Sequence, residues 1–286
     1  METGTERGVL LLSCPDQPGI VAAVATFIAD QGGNIVHAEQ HTDFDDGVFF
    51  QRVEFELDGL AERADELQQA FQPVAARFGM EVTARLSGET ARVAVLVSRE
   101  AHCLQDLLYR WRSGELQADI PVVISNHPDH AELVEFQGSK YVHLPVTPET
   151  KPEQERAIRS VLEEHRIDLV VLARYMQILS REFVEDHRNR IINIHHSFLP
   201  AFAGARPYHQ ASKRGVKIIG ATAHYVTEEL DAGPIIEQDV ARVTHRDHAD
   251  AMVRLGRDIE RTVLARAVKW HLEDRVLVHG NRTVVF

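Results

Sequence analysis

The segment Ile191-Ile192-Asn193-Ile194-His195-His196-Ser197-Phe198-Leu199-Pro200 is an apolar strand that presents polar groups at its end. Alternate residues of a strand project to the same side, so Asn193 and His195 share one face and His196 points the other way. An amide and an imidazole both donate hydrogen bonds. Donors aimed at an oxygen that gains negative charge are what attack on a carbonyl requires. The segment therefore predicts a strand that carries two catalytic groups.

A second polar segment follows this strand along the chain. Gly220 to Val226 is a predicted strand, and it leads into the acidic loop Thr227-Glu228-Glu229-Leu230-Asp231-Ala232-Gly233-Pro234. The Gly-Pro pair predicts a tight connection that fixes Asp231 in place. A carboxylate held beside His195 would orient a water molecule for attack.

The surrounding sequence alternates apolar strands with helical stretches. The predicted strands are Val93 to Val97, Val122 to Ile124, Tyr141 to Val146 and Leu169 to Leu172, and the clearest helix is Glu153 to His165. This alternation predicts an open, mostly parallel, Rossmann-like α/β sheet whose ligands lie at the carboxyl ends of the strands.

The first part of the chain has a different rhythm. Strands are predicted at Gly8 to Ser13, Asn34 to Thr42, Val48 to Leu57 and Met80 to Leu86, with helices that begin near Ile20 and Leu60. The order βαββαβ is that of a ferredoxin-like domain. The polar stretch Ser87 to Thr90 predicts the boundary, which gives an N-terminal domain over 1–86 and a catalytic domain over 91–286.

Composition excludes several classes of protein. The chain has 286 residues and a formal net charge of -12, so it lacks the cationic surface that nucleic acid requires. No segment has the length of apolar sequence needed to span a membrane, so no membrane partner is expected. The two cysteines, Cys14 and Cys103, are typical of a reducing compartment, and we expect a cytoplasmic protein.

Taken singly, each of these polar residues also has a structural explanation. Asn193 can end a strand, Asp231 can cap a turn, and His196 is expected to be structural among 16 histidines. An alternative interpretation is a metal site formed by four histidines, which are His195, His196, His209 and His224. None of the four has H-x-x-x-H spacing, and His37 and His41, which do, fall in a predicted strand. We therefore expect no metal.

The combination Asn193-Ile194-His195, Ser197-Phe198-Leu199-Pro200 and Leu230-Asp231-Ala232-Gly233-Pro234 resembles the signature of the folate-dependent formyltransferases. The resemblance implies a formyltransferase-like fold and a catalytic trio of Asn193, His195 and Asp231. Leu172 to Leu179 is similar to the family segment that lines the pterin pocket. By that resemblance the substrate-binding residues are Met176, Gln177, Ile178, Leu179, His224, Thr227, Glu228 and Glu229.

The N-terminal domain resembles an ACT domain, through Cys14-Pro15-Asp16-Gln17-Pro18-Gly19-Ile20 and the element order. ACT domains commonly pair side by side and bind small effectors. The resemblance implies an amino-acid effector at Gln17, Pro18 and Gly19, where helix amides are free, and a homo-oligomer.

An ACT domain joined to a formyltransferase-like domain resembles the formyltetrahydrofolate deformylases, and the resemblance covers nearly the whole chain, including Gly204 to Gln210. Its implied activity is hydrolysis of 10-formyltetrahydrofolate, the substrate, to tetrahydrofolate and formate for purine biosynthesis, without a cofactor. Val97 to Cys103 lacks the glycines that would let backbone amides cradle the phosphate of an amine acceptor, and Glu100 adds negative charge there. Water is therefore the expected nucleophile.

Two other functions stay open at this point. One is a folate-dependent formyltransferase that passes the group to an amine acceptor. The other is a non-catalytic sensor of amino acids and folate, which the joint presence of Asn193, His195 and Asp231 disfavours.

Overall fold

The computed structural model describes residues 6–86, 90–201 and 207–286. The chain forms two compact units. The first comprises Met1–Glu89 with Glu273–His279 and Thr283–Phe286, and the second comprises Thr90–Leu272 with Gly280–Arg282. Residues 87–89 of the predicted linker lie outside the described residues.

The first unit has the predicted βαββαβ order. Its elements are β1 (Glu6–Pro15), α1 (Ile20–Asp30), β2 (Asn34–Asp43), β3 (Val48–Leu57), α2 (Leu60–Phe78) and β4 (Glu81–Leu86). The strands form an antiparallel sheet in the order β2-β3-β1-β4. Apolar residues at helical spacing, such as Val24 and Phe71, pack with Leu12 and Val53 on one face of this sheet.

The second unit is an α/β domain. Its elements are β5 (Ala91–Val97), α3 (His102–Arg112), β6 (Ala118–Ser125), α4 (Ala131–Phe136), β7 (Lys140–His143), α5 (Lys151–Glu164), β8 (Leu169–Leu172), α6 (Arg181–Asp186), β9 (Ile191–His195), α7 (Pro207–Arg214), β10 (Ile218–Tyr225), β11 (Ile235–Arg242) and α8 (Ala249–Leu272). The seven strands lie in the order β11-β10-β9-β8-β5-β6-β7. Five of them, β5 to β9, pair in parallel, and β10 and β11 are antiparallel additions at one edge. The predicted mostly parallel α/β sheet is confirmed.

Strand β7 is shorter than predicted. We expected it to run from Tyr141 to Val146, but it ends at His143. The reason is that its only neighbour, β6, ends at Ser125, which pairs with His143. The next amide, that of Leu144, donates to the Ser125 carbonyl at 2.8 Å, and among the described residues no strand lies beyond it for β7 to pair with.

The C-terminal segment lies with the first unit, whereas the sequence led us to expect it in the catalytic domain. It forms a hairpin of β12 (Val276–His279) and β13 (Arg282–Val285). The buried side chain of Phe286 packs with Val9, Leu11 and Phe50 on the sheet face opposite the helices. Burial of these apolar residues explains why the hairpin belongs there.

None of the helices described is both long enough and apolar enough to cross a membrane.

Candidate active site

The pairing of β9 with β10 assembles the centre of the site. The two strands are antiparallel, with Asn193 opposite His224 and His195 opposite Thr222. Strand β8 lies on the other side of β9, with Leu172 beside Asn193. Asn193 and His195 therefore stand near the carboxyl end of a central strand, the edge at which α/β sheets bind ligands.

Asp231 reaches this pair from the loop after β10. Its Oδ1 atom lies 3.2 Å from Nδ1 of His195. The backbone of Asp231 has φ of 56°, and Gly233 sits so close to the Tyr225 carbonyl oxygen that a Cβ atom would collide with it. Glycine at this position therefore permits the tight connection that the sequence predicts. The hydrogen bond from His195 holds the pKa of the Asp231 carboxyl below its usual value, although burial opposes this.

The other ring nitrogen of His195, Nε2, is shielded from solvent and has no hydrogen-bond partner within the described part of the chain. Because Nδ1 faces Asp231, Nε2 is the atom that is left for a ligand oxygen or a water molecule. The imidazole thus has one nitrogen engaged by a carboxylate and one available in a buried position, as a general acid and base requires.

His224 orients the amide of Asn193. Its Nδ1 lies 2.9 Å from its neighbour's carbonyl oxygen, that of Tyr225, so this nitrogen carries the proton. Nε2 is then an acceptor, and the Nδ2 group of Asn193 donates to it at 3.2 Å. Burial lowers the pKa of His224, which favours this neutral form. The bond fixes the amide and leaves its second N–H and its carbonyl oxygen for a ligand.

The structure places His224 next to the predicted trio, but in the interior of the domain and not at its surface. Only 2% of His224 is exposed, and its Nε2 lies 4.0 Å from Oδ1 of Asp231. This position differs from a direct substrate contact, which is the role that the resemblance implies. The pattern that signals the difference is that His224 belongs to strand β10, in which every residue from Ile219 to Tyr225 is buried.

The Met176 to Leu179 loop follows β8, at the same edge of the sheet as the end of β9. The side chains of Met176 and Ile178 are 57% and 61% exposed, which is unusual for large apolar residues. Gln177 is half-buried, and Leu179 packs against the core of the domain. The Met176 amide donates to Ser98 Oγ at 3.0 Å, which ties the loop to the end of β5.

Two contacts hold the acidic loop of Thr227 to Pro234 in place, one within the loop and one to Arg181. Thr227 Oγ1 donates to the Glu229 carbonyl at 3.1 Å, and the exposed carboxylate of Glu228 lies 3.1 Å from Nε of Arg181. Leu230 is 61% exposed beside Asp231. An apolar side chain thus lies in the open on this loop, as on the Met176 to Leu179 loop.

The loop between β5 and α3 does not have the features of a phosphate cradle. Ser98 Oγ donates to Oδ1 of Asn126 at 2.7 Å, and the carbonyls of Ser98 and Arg99 lie 3.1 and 3.2 Å from Nε2 of His130. The carboxylate of Glu100 lies 2.6 Å from Arg257. Anionic and carbonyl groups occupy this loop, which disfavours an anionic acceptor.

The four histidines weighed as metal ligands have other surroundings. His196 is half-buried beside Tyr208 and His195, with ring centroids 6.2 and 5.3 Å away. Burial and the nearby Arg174 lower the pKa of His196 to about 4, so it is neutral at neutral pH. His209 is exposed on α7. Residues Gly204 to Arg206, which contribute to the family resemblance, lie outside the described residues.

A different group has ligand atoms close together, namely His102, Cys103 and Glu260, all within 4.8 Å of one another. The Glu260 carboxylate already accepts bonds from His102 at 2.8 Å and Tyr208 at 2.7 Å, and the Arg174 guanidinium lies 3.5 Å from it. Burial also raises the pKa of the Cys103 thiol well above its usual value. These surroundings fit a hydrogen-bond network better than a cation site. Sequence reasoning did not find this network.

The proposed effector residues lie at the start of α1. Gly19 is its N-cap with φ of 97°, and no side chain caps the first turn. Gln17 and Pro18 are exposed, and the Gln17 amide donates to the Phe78 carbonyl at 3.4 Å.

The fold and the site define a formyl transferase domain preceded by an ACT domain. Residues 91–268 match the Formyl transferase family, and residues 8–72 match the ACT domain family. The chain belongs to the formyltetrahydrofolate deformylase family. A formyltetrahydrofolate deformylase from Synechocystis is 56% identical over 277 residues, which is 97% of this chain and 97% of the relative.

Two further proteins agree with this. The formyltetrahydrofolate deformylase of Bacillus subtilis is 54% identical over 282 residues, which is 98% of this chain and 94% of the relative. A crystal structure of a formyltetrahydrofolate deformylase from Pseudomonas syringae superposes with a TM-score of 0.93 at 51% identity, covering 100% of this chain and 96% of that one. The resemblance over nearly the whole chain is confirmed.

Proposed function

We propose that this chain hydrolyses 10-formyltetrahydrofolate to tetrahydrofolate and formate, with Asn193, His195 and Asp231 as its catalytic residues. The observation that carries the proposal is that an amide, an imidazole and a carboxylate converge at one strand end, in a chain of the deformylase family. The formate and free tetrahydrofolate would serve one-carbon metabolism and purine biosynthesis.

In the proposed reaction the formyl oxygen accepts hydrogen bonds from the free N–H of Asn193 and from protonated His195. The Asp231 carboxylate, whose low pKa keeps it ionised, orients a water molecule. The water oxygen forms a bond to the formyl carbon while its proton passes to the Asp231 carboxylate. The carbon–N10 bond then breaks as N10 takes that proton back from the Asp231–His195 pair, and the product leaves as formate after its acid proton passes to solvent.

The reaction as written needs no cofactor beyond its folate substrate, because charge on the oxyanion is balanced by Asn193 and His195. We expect activity to survive prolonged treatment with a chelator. For the folate ring we propose contacts from Met176, Gln177, Ile178 and Leu179 and from the Thr227 to Glu229 loop. The exposed apolar side chains of Met176 and Ile178 support this assignment.

The ACT domain, over 1–86, is proposed to regulate the catalytic domain, over 91–286. An amino-acid effector would bind at Gln17, Pro18 and Gly19, and the uncapped start of α1 supports a carboxylate there. Pairing of ACT domains would make the protein a homo-oligomer. A cytoplasmic location is supported by Cys14 and Cys103, which are free and buried.

The test of the proposed function is formate release from 10-formyltetrahydrofolate with water as the only nucleophile. We expect one formate for each tetrahydrofolate formed, at many turnovers per enzyme molecule. Release that requires an added amine, with the formyl group recovered on that amine, would instead identify a transferase. Binding of the folate without either product would identify a sensor.

A further inference from the structure

Glu260 is a charged residue in an unusual place, because it lies on the buried side of α8 with only 1% of its surface exposed. Burying an unpaired carboxylate is strongly unfavourable, so its partners must compensate. Although burial opposes ionisation, hydrogen bonds from His102 and Tyr208 and the charge of Arg174 hold the pKa of Glu260 below its usual value. The side chain is therefore a buried anion whose contacts fix its neighbours.

Tyr208 is held by α8 at two points. Its hydroxyl donates to Oε1 of Glu260 at 2.7 Å. Its ring lies against the backbone of Gly256, one turn earlier, where a Cβ atom would overlap the ring. Glycine and glutamate at i and i+4 thus form a slot that fits this tyrosine. Burial also raises the pKa of the phenol, so it stays a donor.

The tyrosine stands at the far end of the connection that leaves the catalytic strand. The first part of that connection is fixed by Thr222, whose Oγ1 donates to the Ser197 carbonyl at 2.9 Å and accepts from the Leu199 amide at 3.0 Å. Tyr208 follows at the start of α7 and contacts His196, whose ring neighbours that of His195. The contacts therefore run from Glu260 through Tyr208 and His196 to His195.

Arg174 gives the same carboxylate a second connection to the site. Its Nε lies 3.5 Å from Oε2 of Glu260, and its carbonyl accepts from the Ser98 amide at 3.3 Å. Arg174, two residues before Met176, adopts the left-handed backbone conformation with φ of 63°. A residue in this backbone region persists only where its surroundings hold it. Glu260 therefore links α8 to the segment after β9 through Tyr208, and to the segment after β8 through Arg174.

We propose that Glu260 is a positioning residue for the hydrolysis, which acts through Tyr208 and Arg174 to hold His196 and His195 in their catalytic arrangement. The inference rests on the proposed function, because it concerns the rate of that reaction. It does not require Glu260 to touch the folate, and the carboxylate is fully engaged by protein groups.

The test uses two variants in the full-length protein: Glu260→Gln removes the negative charge that Tyr208 and Arg174 both face, and Tyr208→Phe removes the hydroxyl that donates to Glu260. Misplacement of catalytic groups by a fraction of an ångström slows the chemical step without altering a separate binding surface. We expect each variant to lower kcat by about tenfold or more while KM for the folate changes less than about twofold. The losses of the two single variants should not add up fully in the double variant, because both changes weaken the contact between Tyr208 and Glu260.

The matched control is Asp258→Asn. This carboxylate lies on the same helix, is 65% exposed and pairs with Arg261, so kcat should stay at the wild-type value. Wild-type kcat in folded Glu260→Gln, or a raised KM with unchanged kcat, would overturn the proposal. Additive losses in the double variant would overturn it too. If Glu260→Gln does not fold, wild-type kcat in Tyr208→Phe decides against it.

Failure of this inference is distinguishable from failure of the proposed function. The wild-type enzyme in the same assay reports whether formate is released at all, and the variants report only how fast. A wild-type protein without activity would leave nothing for Glu260 to position and would contradict both.

Discussion

Nδ1 of His195 lies 3.2 Å from Oδ1 of Asp231, although the two residues are 36 positions apart in the chain. Strand β10 lies antiparallel beside β9. Gly233 lies against the carbonyl oxygen of Tyr225, so the loop after β10 closes tightly and Asp231 is held near the end of β9. The pairing of an imidazole with a low-pKa carboxylate fixes the ring and leaves its other nitrogen for chemistry.

Replacement of Asp231 by asparagine keeps the shape of the side chain and removes its negative charge. We expect Asp231→Asn to lower kcat at neutral pH by about 10² or more, with little change in KM. A normal kcat with a raised KM would make Asp231 a binding residue only. Asp239→Asn is the matched control, because that carboxylate is 43% exposed on β11 and pairs with Arg266.

The same variant has a pH signature in stability. Because the folded-state pKa of Asp231 lies below its ordinary value of 3.8, its stabilising contribution is fully present above that value and is lost as the pH falls through the folded pKa. The wild-type protein should therefore be more stable than Asp231→Asn near neutral pH, and the difference should shrink in acid. Urea unfolding at several pH values measures it, and a difference that grows in acid would contradict the pairing.

His224 should act on the rate through Asn193. His224→Phe removes the acceptor of the Asn193 amide, and a buried donor without its partner costs about 1 to 3 kcal/mol. We expect kcat to fall about tenfold while folate affinity is retained, because the amide is free to turn. Steady-state kinetics separate the two, with exposed His245→Phe as control. Lower affinity at an unchanged kcat would restore His224 to the substrate-contacting role that the sequence suggests.

Gly233 should be necessary for the position of Asp231. An added Cβ atom would meet the carbonyl oxygen of Tyr225, a backbone atom that cannot move aside, so the loop must shift. We expect Gly233→Ala to lower kcat by up to about 10², as a displacement of about 1 Å does. Gly114→Ala is the control, because φ of 77° strains the backbone there but the added Cβ meets open space, so kcat should stay near the wild-type value. Equal kcat values for the two variants would show that the close approach has no role in placing Asp231.

The C-terminal hairpin should stabilise the first unit. Phe286 is 8% exposed and closes a cluster with Val9, Leu11 and Phe50. We expect Phe286→Ala to lower the free energy of unfolding by about 3 kcal/mol, as truncation of a buried phenylalanine does. The control is Phe44→Ala, because Phe44 is 89% exposed. Urea unfolding that gave the two variants equal stability would show that Phe286 does not anchor the hairpin.

The sequence predicted the elements whose signals are local. Strand β3 and helix α2 follow from alternating or helically spaced apolar residues, and in the structure β3 has the expected ends and α2 begins at Leu60 as expected. Asn193 and His195 stood out as polar groups at the end of an apolar strand, and the resemblance to the formyltransferase signature joined Asp231 to them. The pairing of β9 with β10 then brings the three residues together.

The parts that were not predicted depend on contacts between distant segments. Phe286 and Leu277 have no local pattern beyond their apolar character, and only the apolar sheet face that carries Phe50, opposite the helices, explains where they pack. Glu260 reads as a polar position on an amphipathic helix, and only the arrival of Tyr208 and His102 shows that it faces inward. The available signal was the helical spacing, because Glu260 lies four positions after Gly256 and four before Leu264, both of which are on the buried side of α8.

The most direct test of the account is the single-turnover rate of formate release from 10-formyltetrahydrofolate by Asn193→Ala and His195→Ala, relative to wild type. Loss of one donor to a developing oxyanion lowers the rate by about 10² to 10³, so each variant should be slower by at least about that factor while still binding the folate. Formate release at the wild-type rate by either folded variant would contradict the catalytic role of that residue.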